Sequence, residues 1–213
     1  MIYEIVPAII AKAQDELDRA IGKVKGFAGK IQLDVMDGKF VRNTSFLFDF
    51  KLPPLKAMLE AHLMVEHPLV WIEKHASKVD LILFHIESKD PVAEVIQAVK
   101  VRKRKVGIVI NPDTPVKDIA GFLEMVDQVL VMTVHPGFYG SPFVSEALEK
   151  VTRLRKLMPQ LAIEVDGGIT DKTILKAAGA GANLFVSGSF ILRSENPEKA
   201  YALLVKLAGP LAP

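Results

Sequence analysis

Gln32-Leu33-Asp34-Val35-Met36-Asp37-Gly38 and Glu164-Val165-Asp166-Gly167-Gly168 decide how this chain reads. Each is a short apolar run that ends on an aspartate and passes into a glycine-bearing turn. Residues of a strand alternate between its two faces, so Gln32, Asp34 and Met36 share one face, as do Glu164 and Asp166. Carboxylates crowded at the C-terminal ends of apolar strands are what the open mouth of a parallel-stranded barrel presents, and that mouth is where the fold carries its active sites.

Outward from these two stretches, β-rich runs recur at 5–10, 30–36, 60–65, 81–86, 105–111, 128–134, 162–166 and 184–188. Amphipathic stretches intervene at 15–27, 68–78, 91–102, 116–126, 144–157, 172–179 and 197–207. The connection over 49–59, interrupted by Pro53-Pro54, reads as only a turn or two of helix. Asn111-Pro112, Asp171 and Asn196-Pro197 are helix-start signals. Repeated strand–helix units imply parallel strands joined by right-handed crossovers. An open doubly wound sheet competes with a closed (β/α)8 TIM barrel. The count of strands favours the barrel, for which about 200 residues is the lower end of the size range. The expectation is a single TIM-barrel domain over residues 1–213.

Half of the 213 residues are hydrophobic and 24% are charged, as in a globular protein with a sizeable core. A net charge of +2 is far too small for a nucleic-acid groove or an anionic membrane partner. The basic run Arg102-Lys103-Arg104-Lys105 follows a helical pattern, where cations complement the helix dipole. With no cysteine, disulfides and thiolate ligands are excluded, and any metal must be held by nitrogen and oxygen. Neither a signal peptide nor an apolar stretch of the ~20 residues that span a bilayer is read, so a cytoplasmic protein is expected.

Asp34, Asp166 and His62 (in Ala61-His62-Leu63-Met64) form a donor set suited to zinc, manganese or iron. A divalent cation there would offset repulsion between the carboxylates and polarise a carbonyl. Taken alone, such an aspartate is more often a cap and such a histidine a satisfied core side chain; a shared mouth raises the functional reading. Gly167 and Gly168 end strand seven, and Gly188 and Ser189 follow strand eight, the places where barrels commonly bind phosphate. The segment from His135 to Ser141, with two glycines and an aromatic tip, suits a flap over a small ligand. Met36, Met64 and Met132 fall near strand ends and could line a substrate cavity or fill the barrel's top layer. His85 and Glu87 end strand four as lining residues or residues behind the site.

Val-Pro-Ala-Ile-Ile at 6–10, the stretch from Asp34 to Val41, Ala61 to Val65, Val131 to Phe138, Glu164 to Gly168 and Val186 to Ser189 together resemble the ribulose-phosphate 3-epimerases. The resemblance runs in order over nearly the whole chain. It implies a (β/α)8 barrel on which a divalent metal and two aspartates interconvert ribulose 5-phosphate and xylulose 5-phosphate. Carried over by position, Asp34, His62 and Asp166 are metal ligands, and Asp34 and Asp166 are the acid/base pair. Met36, Met64 and Met132 line the pocket, and Gly140, Gly167, Gly168, Gly188 and Ser189 meet the phosphate. Three of this chain's motifs depart from the family pattern. Gln32 stands where the family has a metal-ligating histidine, and a neutral amide oxygen there weakens metal binding or favours a harder ion. Ala8 replaces a substrate-contacting serine, and Tyr139-Gly140-Ser141 replaces the flap's usual Gly-Gly-Gln.

The expected function is epimerisation at C3 of a ketose phosphate through an enediolate, with one aspartate as base and the other as acid. Two alternatives stand beside it: a 3-epimerase of a hexulose 6-phosphate such as allulose 6-phosphate, and a phosphosugar-binding barrel that turns nothing over. A decarboxylase of the orotidine-phosphate type is disfavoured, because its Asp-x-Lys-x-x-Asp motif needs a lysine where this chain has Met36. The partner is a small phosphorylated sugar, with no nucleic acid and no membrane. Members of the family commonly form dimers or larger assemblies, which leaves a homo-oligomer open.

Overall fold

The computed structural model describes residues 3–136 and 142–209. Its strands are β1 (Glu4–Val6), β2 (Ala8–Ile9), β3 (Lys30–Asp37), β4 (Thr44–Ser45), β5 (Met58–Met64), β6 (Leu81–His85), β7 (Lys105–Ile110), β8 (Gln128–Met132), β9 (Ala162–Asp166) and β10 (Leu184–Val186). Their order is β1-β10-β9-β8-β7-β6-β5-β3-β2, and every pair along it is parallel; β4 alone is antiparallel, on β3. The order begins and ends on two halves of one strand, separated by Pro7. Proline has no N–H to give a ladder, so the strand breaks there. The backbone bonds nevertheless continue past it: Ser187 N donates to Val6 O at 2.9 Å and Gln32 N donates to Pro7 O at 3.0 Å. The sheet therefore closes on itself. With β1 and β2 counted as one and β4 set aside, the ten strands make the eight of the barrel.

The helices are α1 (Gln14–Val24), α2 (Pro68–His75), α3 (Val92–Val101), α4 (Leu148–Leu157), α5 (Ile174–Ala180), α6 (Ser189–Leu192) and α7 (Pro197–Ala208). Three expectations are corrected. The connection after β3 carries no helix at all, since Pro53-Pro54 supplies no donors for a helical turn and residues 46–57 run irregularly. The stretch Val116–Met125 winds as a 3-10 helix rather than an α-helix. Asp171 does not cap α5, which begins at Ile174 after the Thr170–Thr173 turn. Asn196 does cap α7, accepting from Lys199 N at 3.0 Å.

Alternation along the strands divides the core. Outward-facing Ile31, Leu33, Val35, Leu63, Phe84 and Ile108 pack with Leu17, Ile21, Ile72, Val95, Val99 and Val151 of the helices. Inside the ring, Leu81, Leu83, Val109, Leu130 and Met132 form a second cluster. Toward the strands' N-terminal ends lies a buried polar group: Lys30 Nζ is 2.7 Å from Glu60 and 3.0 Å from Gln128 Oε1, and Gln128 Nε2 donates to Glu164. Burial, followed by the charge of Glu60, pushes Glu164 well above the usual carboxylate range. Burial opposes the charge on Lys30, but Glu164 and Glu60 outweigh it and raise its pKa. No helix among the described residues is long and apolar enough to cross a membrane.

Gly107 on β7 leaves no room for a side chain inside the ring. A Cβ there would lie 2.5 Å from Leu83 Cδ2 and 2.8 Å from the backbone oxygen of Gln128. Gly107→Ala should cost about 1–3 kcal/mol by overpacking, read as a lowered midpoint of urea unfolding. Gly121→Ala, with nothing within 4 Å of its Cβ, serves as the control and should leave the midpoint nearly in place.

Candidate active site and metal centre

The parallel register sets the site. Asp34 on β3 pairs with His62 on β5, and Met36 with Met64, so their side chains rise into the same end of the barrel. Across the ring, Met132 on β8 pairs with Asp166 on β9, which in turn pairs with Val186 on β10. These C-terminal strand ends enclose an open-mouthed cleft. It is lined by Asp34, Met36, His62, Met64, Met132, Asp166, Gly167, Gly168, Gly188 and Ser189, which the sequence singles out. Ala8, Ile10, Val134, Pro136, Ile169, Thr170 and Val186 line it as well. Of these, Ala8 is one of the departures from the family pattern, and Ile10, Val134, Pro136 and Val186 lie in the stretches that carry the resemblance; Ile169 and Thr170 are positions without a signal in the sequence. Gly140 and most of the expected flap lie outside the described residues.

At the floor of the cleft, His62 Nδ1 is 3.4 Å from Asp34 Oδ1 and 3.3 Å from Asp166 Oδ2. One donor atom from each of Asp34, His62 and Asp166 falls within 4.8 Å of the others, the spacing a single cation can bridge. Gln32 turns its amide nitrogen toward this group: Nε2 donates to Asp34 Oδ1 at 2.8 Å and to Asp166 Oδ2 at 2.8 Å. Both amide hydrogens are spent on the carboxylates. Oε1, the atom that would ligate a metal, is buried with no hydrogen-bond partner among the described residues. An amide exchanges O for N with little change of shape, so turning it over would bring that orphaned oxygen to the other three donors. The residues present fit a divalent cation.

Charge follows burial and contact. Burial raises the pKa of Asp34, and the nearby Asp166 adds to the effect against the hydrogen bonds from His62 and Gln32. Burial opposes protonation of His62, but its bonds to Asp166 and Asp34 outweigh that and raise it to about 9. Asp37, next to the site in sequence, has a structural role. Its carboxylate accepts from the backbone N–H groups of Lys39, Phe40 and Glu66, fixing the loop after β3 against β5.

The loop after β9 is held rigidly. Gly167 and Gly168 have φ of +112° and +67°, and a Cβ on Gly167 would lie 2.3 Å from Val134 Cγ2. Both positions therefore require glycine. The carbonyls of Gly167, Gly168 and Ile169 accept from the hydroxyls of Thr133 at 2.6 Å, Thr173 at 2.7 Å and Ser187 at 2.8 Å.

Residues 4–192 match the model of the ribulose-phosphate 3 epimerase family. The chain belongs to that family. Among its relatives, the cytoplasmic isoform of ribulose-phosphate 3-epimerase from Oryza sativa subsp. japonica is 41% identical over 184 residues, 83% of this chain and 81% of the relative. The ribulose-phosphate 3-epimerase of Schizosaccharomyces pombe is 35% identical over 204 residues, 92% and 90% of the two chains. Among solved structures, a KGPDC from Streptococcus mutans superposes with a TM-score of 0.72 at 12% identity, over 98% of each chain. The 3-hexulose-6-phosphate synthase of Salmonella typhimurium does so at 0.69 with 13% identity, over 96% and 98%. The structures share the barrel; the sequences place this chain among carbohydrate epimerases. Epimerase membership also agrees with Met36 standing where the decarboxylase motif needs lysine.

Proposed function

We propose that this protein interconverts D-ribulose 5-phosphate and D-xylulose 5-phosphate by moving the proton at C3. The observation that carries the reading is the convergence of Asp34 and Asp166 on one imidazole and one amide at the floor of a single cleft. Two carboxylates so placed can address opposite faces of one carbon. As a carboxylate, one removes the C3 proton; the other, protonated, delivers one to the far face, and their roles exchange in the reverse direction. Zinc, manganese or iron held by Asp34, His62 and Asp166, with Gln32 turned to offer Oε1, would polarise the C2 carbonyl and stabilise the charge of the enediolate.

Met36, Met64 and Met132 line the cleft beside the reacting carbon and keep water from it. Gly167, Gly168, Gly188 and Ser189 receive the phosphate, and Gly140 would join them from the flap. The carbonyl oxygens of the β9 loop, which would repel an anion, are already engaged by Thr133, Thr173 and Ser187. On this reading the enzyme works in the cytoplasm on free phosphosugar.

Metal-loaded protein should convert ribulose 5-phosphate to xylulose 5-phosphate by NMR, faster than it converts allulose 6-phosphate. Preference for the hexulose would move the substrate assignment. Tight binding of either sugar without turnover would replace catalysis by a binding role.

Gln32→His should tighten metal binding by about tenfold or more, equivalent to about 1.4 kcal/mol. The replacement gives up two charge-assisted hydrogen bonds to the carboxylates and supplies an imidazole ligand, a stronger donor than an amide oxygen. A chelator-competition titration reads the change; equal or weaker affinity would mean that position 32 does not reach the metal.

A further inference from the structure

The ring nitrogen of His62 that faces away from the aspartates leads into a chain of buried groups. His62 Nε2 lies 2.9 Å from His85 Nε2, and His85 Nδ1 lies 3.1 Å from Glu87 Oε2. The two rings are wholly buried and stacked, with centroids 5.1 Å apart and planes at 21°. Phe40 packs on His85 at 4.7 Å between centroids. Glu87 is fixed at the far end: Oε1 accepts from Asn111 N at 2.9 Å and from Thr114 Oγ1.

Hydrogen-bond direction along this chain follows from its last member. A carboxylate only accepts, so the hydrogen between Glu87 and His85 resides on His85 Nδ1. The two Nε2 atoms can share one hydrogen between them. With the Nδ1–H of His85 committed to Glu87, a neutral His85 offers its Nε2 lone pair, and His62 Nε2 is the donor. His62 Nε2 thus keeps its hydrogen whether the ring is charged or neutral, and the proton that an incoming cation must displace is the one on Nδ1, in the space between Asp34 and Asp166. Nδ1 is the ring nitrogen of His62 that reaches that space.

We propose that Glu87, acting through His85, is a positioning residue that holds a hydrogen on His62 Nε2, so that Nδ1 is the ring nitrogen left to meet a cation between the two aspartates. The consequence for metal binding rests on the reading of His62 as a ligand given above. Partners behind a ligating imidazole typically carry 10–100-fold, by order of magnitude, in metal affinity.

Glu87→Gln tests the inference, because it preserves shape and reverses direction. The amide oxygen of the new side chain remains with the Asn111 N–H and the Thr114 hydroxyl, and its NH2 then faces His85 Nδ1. His85 must accept there, carry its hydrogen on Nε2 and donate toward His62. In 15N spectra of the histidine rings at neutral pH, His85 of the parent protein should show a protonated Nδ1 and an unprotonated Nε2. In Glu87→Gln the two signals should exchange character, and zinc affinity by chelator competition should fall about 10–100-fold. Glu87→Asp, still an acceptor only, should keep the parent pattern of His85 and retain most of the affinity. A folded Glu87→Gln protein with the His85 pattern unchanged would overturn the inference. If the glutamine variant does not fold, the parent spectrum decides alone: a hydrogen on His85 Nε2 overturns the inference and one on Nδ1 supports it. Reversal of the pattern in a protein whose parent binds no zinc would support the positioning role and remove the metal reading instead.

Discussion

Asp34→Asn and Asp166→Asn should each lower kcat on the order of 10³- to 10⁴-fold, the upper range for loss of a general acid or base. That loss is roughly 4–5.5 kcal/mol of transition-state stabilisation. An amide can neither take the C3 proton nor hold one for delivery. A two-base scheme has no spare route: a variant that lacks the base in one direction lacks the acid in the other, so both directions should fail together. Folding should survive, because asparagine keeps an oxygen for the Gln32 amide that now donates at 2.8 Å to each aspartate. Both residues also belong to the candidate metal set, so the assay belongs at saturating metal, with loading measured in parallel. Turnover within tenfold of the parent in either variant would show that the carboxylate is not one of the two proton carriers.

Lys30→Met should destabilise the barrel by about 3–5 kcal/mol, the cost of leaving a buried carboxylate without its partner. Lys30 is almost wholly inaccessible, and its Nζ is the cation 2.7 Å from the equally buried Glu60. Gln128 loses a donor to its Oε1 at the same stroke. For a chain of this size the loss should lower Tm on the order of 10 °C. Lys30→Met/Glu60→Gln should recover a substantial part, because it removes the uncompensated charge along with its partner. Equal losses in the single and double variants would mean that the damage comes from packing and not from charge.

The barrel itself is legible in the sequence because its two periodicities are strong. Short β-branched runs alternate with amphipathic stretches, and inward polar residues such as Asp34, His62 and Asp166 interrupt otherwise apolar strands. The same alternation locates the cleft, since residues two apart share a face. What the sequence hides depends on distant neighbours. Pro7 splits the first strand, yet the ring closes there through the carbonyls of Val6 and Pro7. The absent helix after β3 is half visible in Pro53-Pro54, although the pattern over 49–59 still suggests a turn or two that does not form. The Lys30–Glu60–Gln128–Glu164 group joins four strands and has no local signature. Gln32 reads as a weakened ligand, whereas the fold turns its nitrogen to the carboxylates, an orientation set by two residues, one of them more than a hundred positions away. His85 and Glu87 read as residues beside or behind the site; their order behind His62 emerges only when β5 and β6 lie side by side.

The most direct test of two carboxylates serving one carbon is to run ribulose 5-phosphate in deuterated water and examine C3 of product and residual substrate at low conversion. Two proton carriers predict xylulose 5-phosphate with solvent deuterium at C3, while the remaining ribulose 5-phosphate keeps its original hydrogen. Product that retains the substrate's own C3 hydrogen would mean that a single group carries the proton across, and would contradict the account.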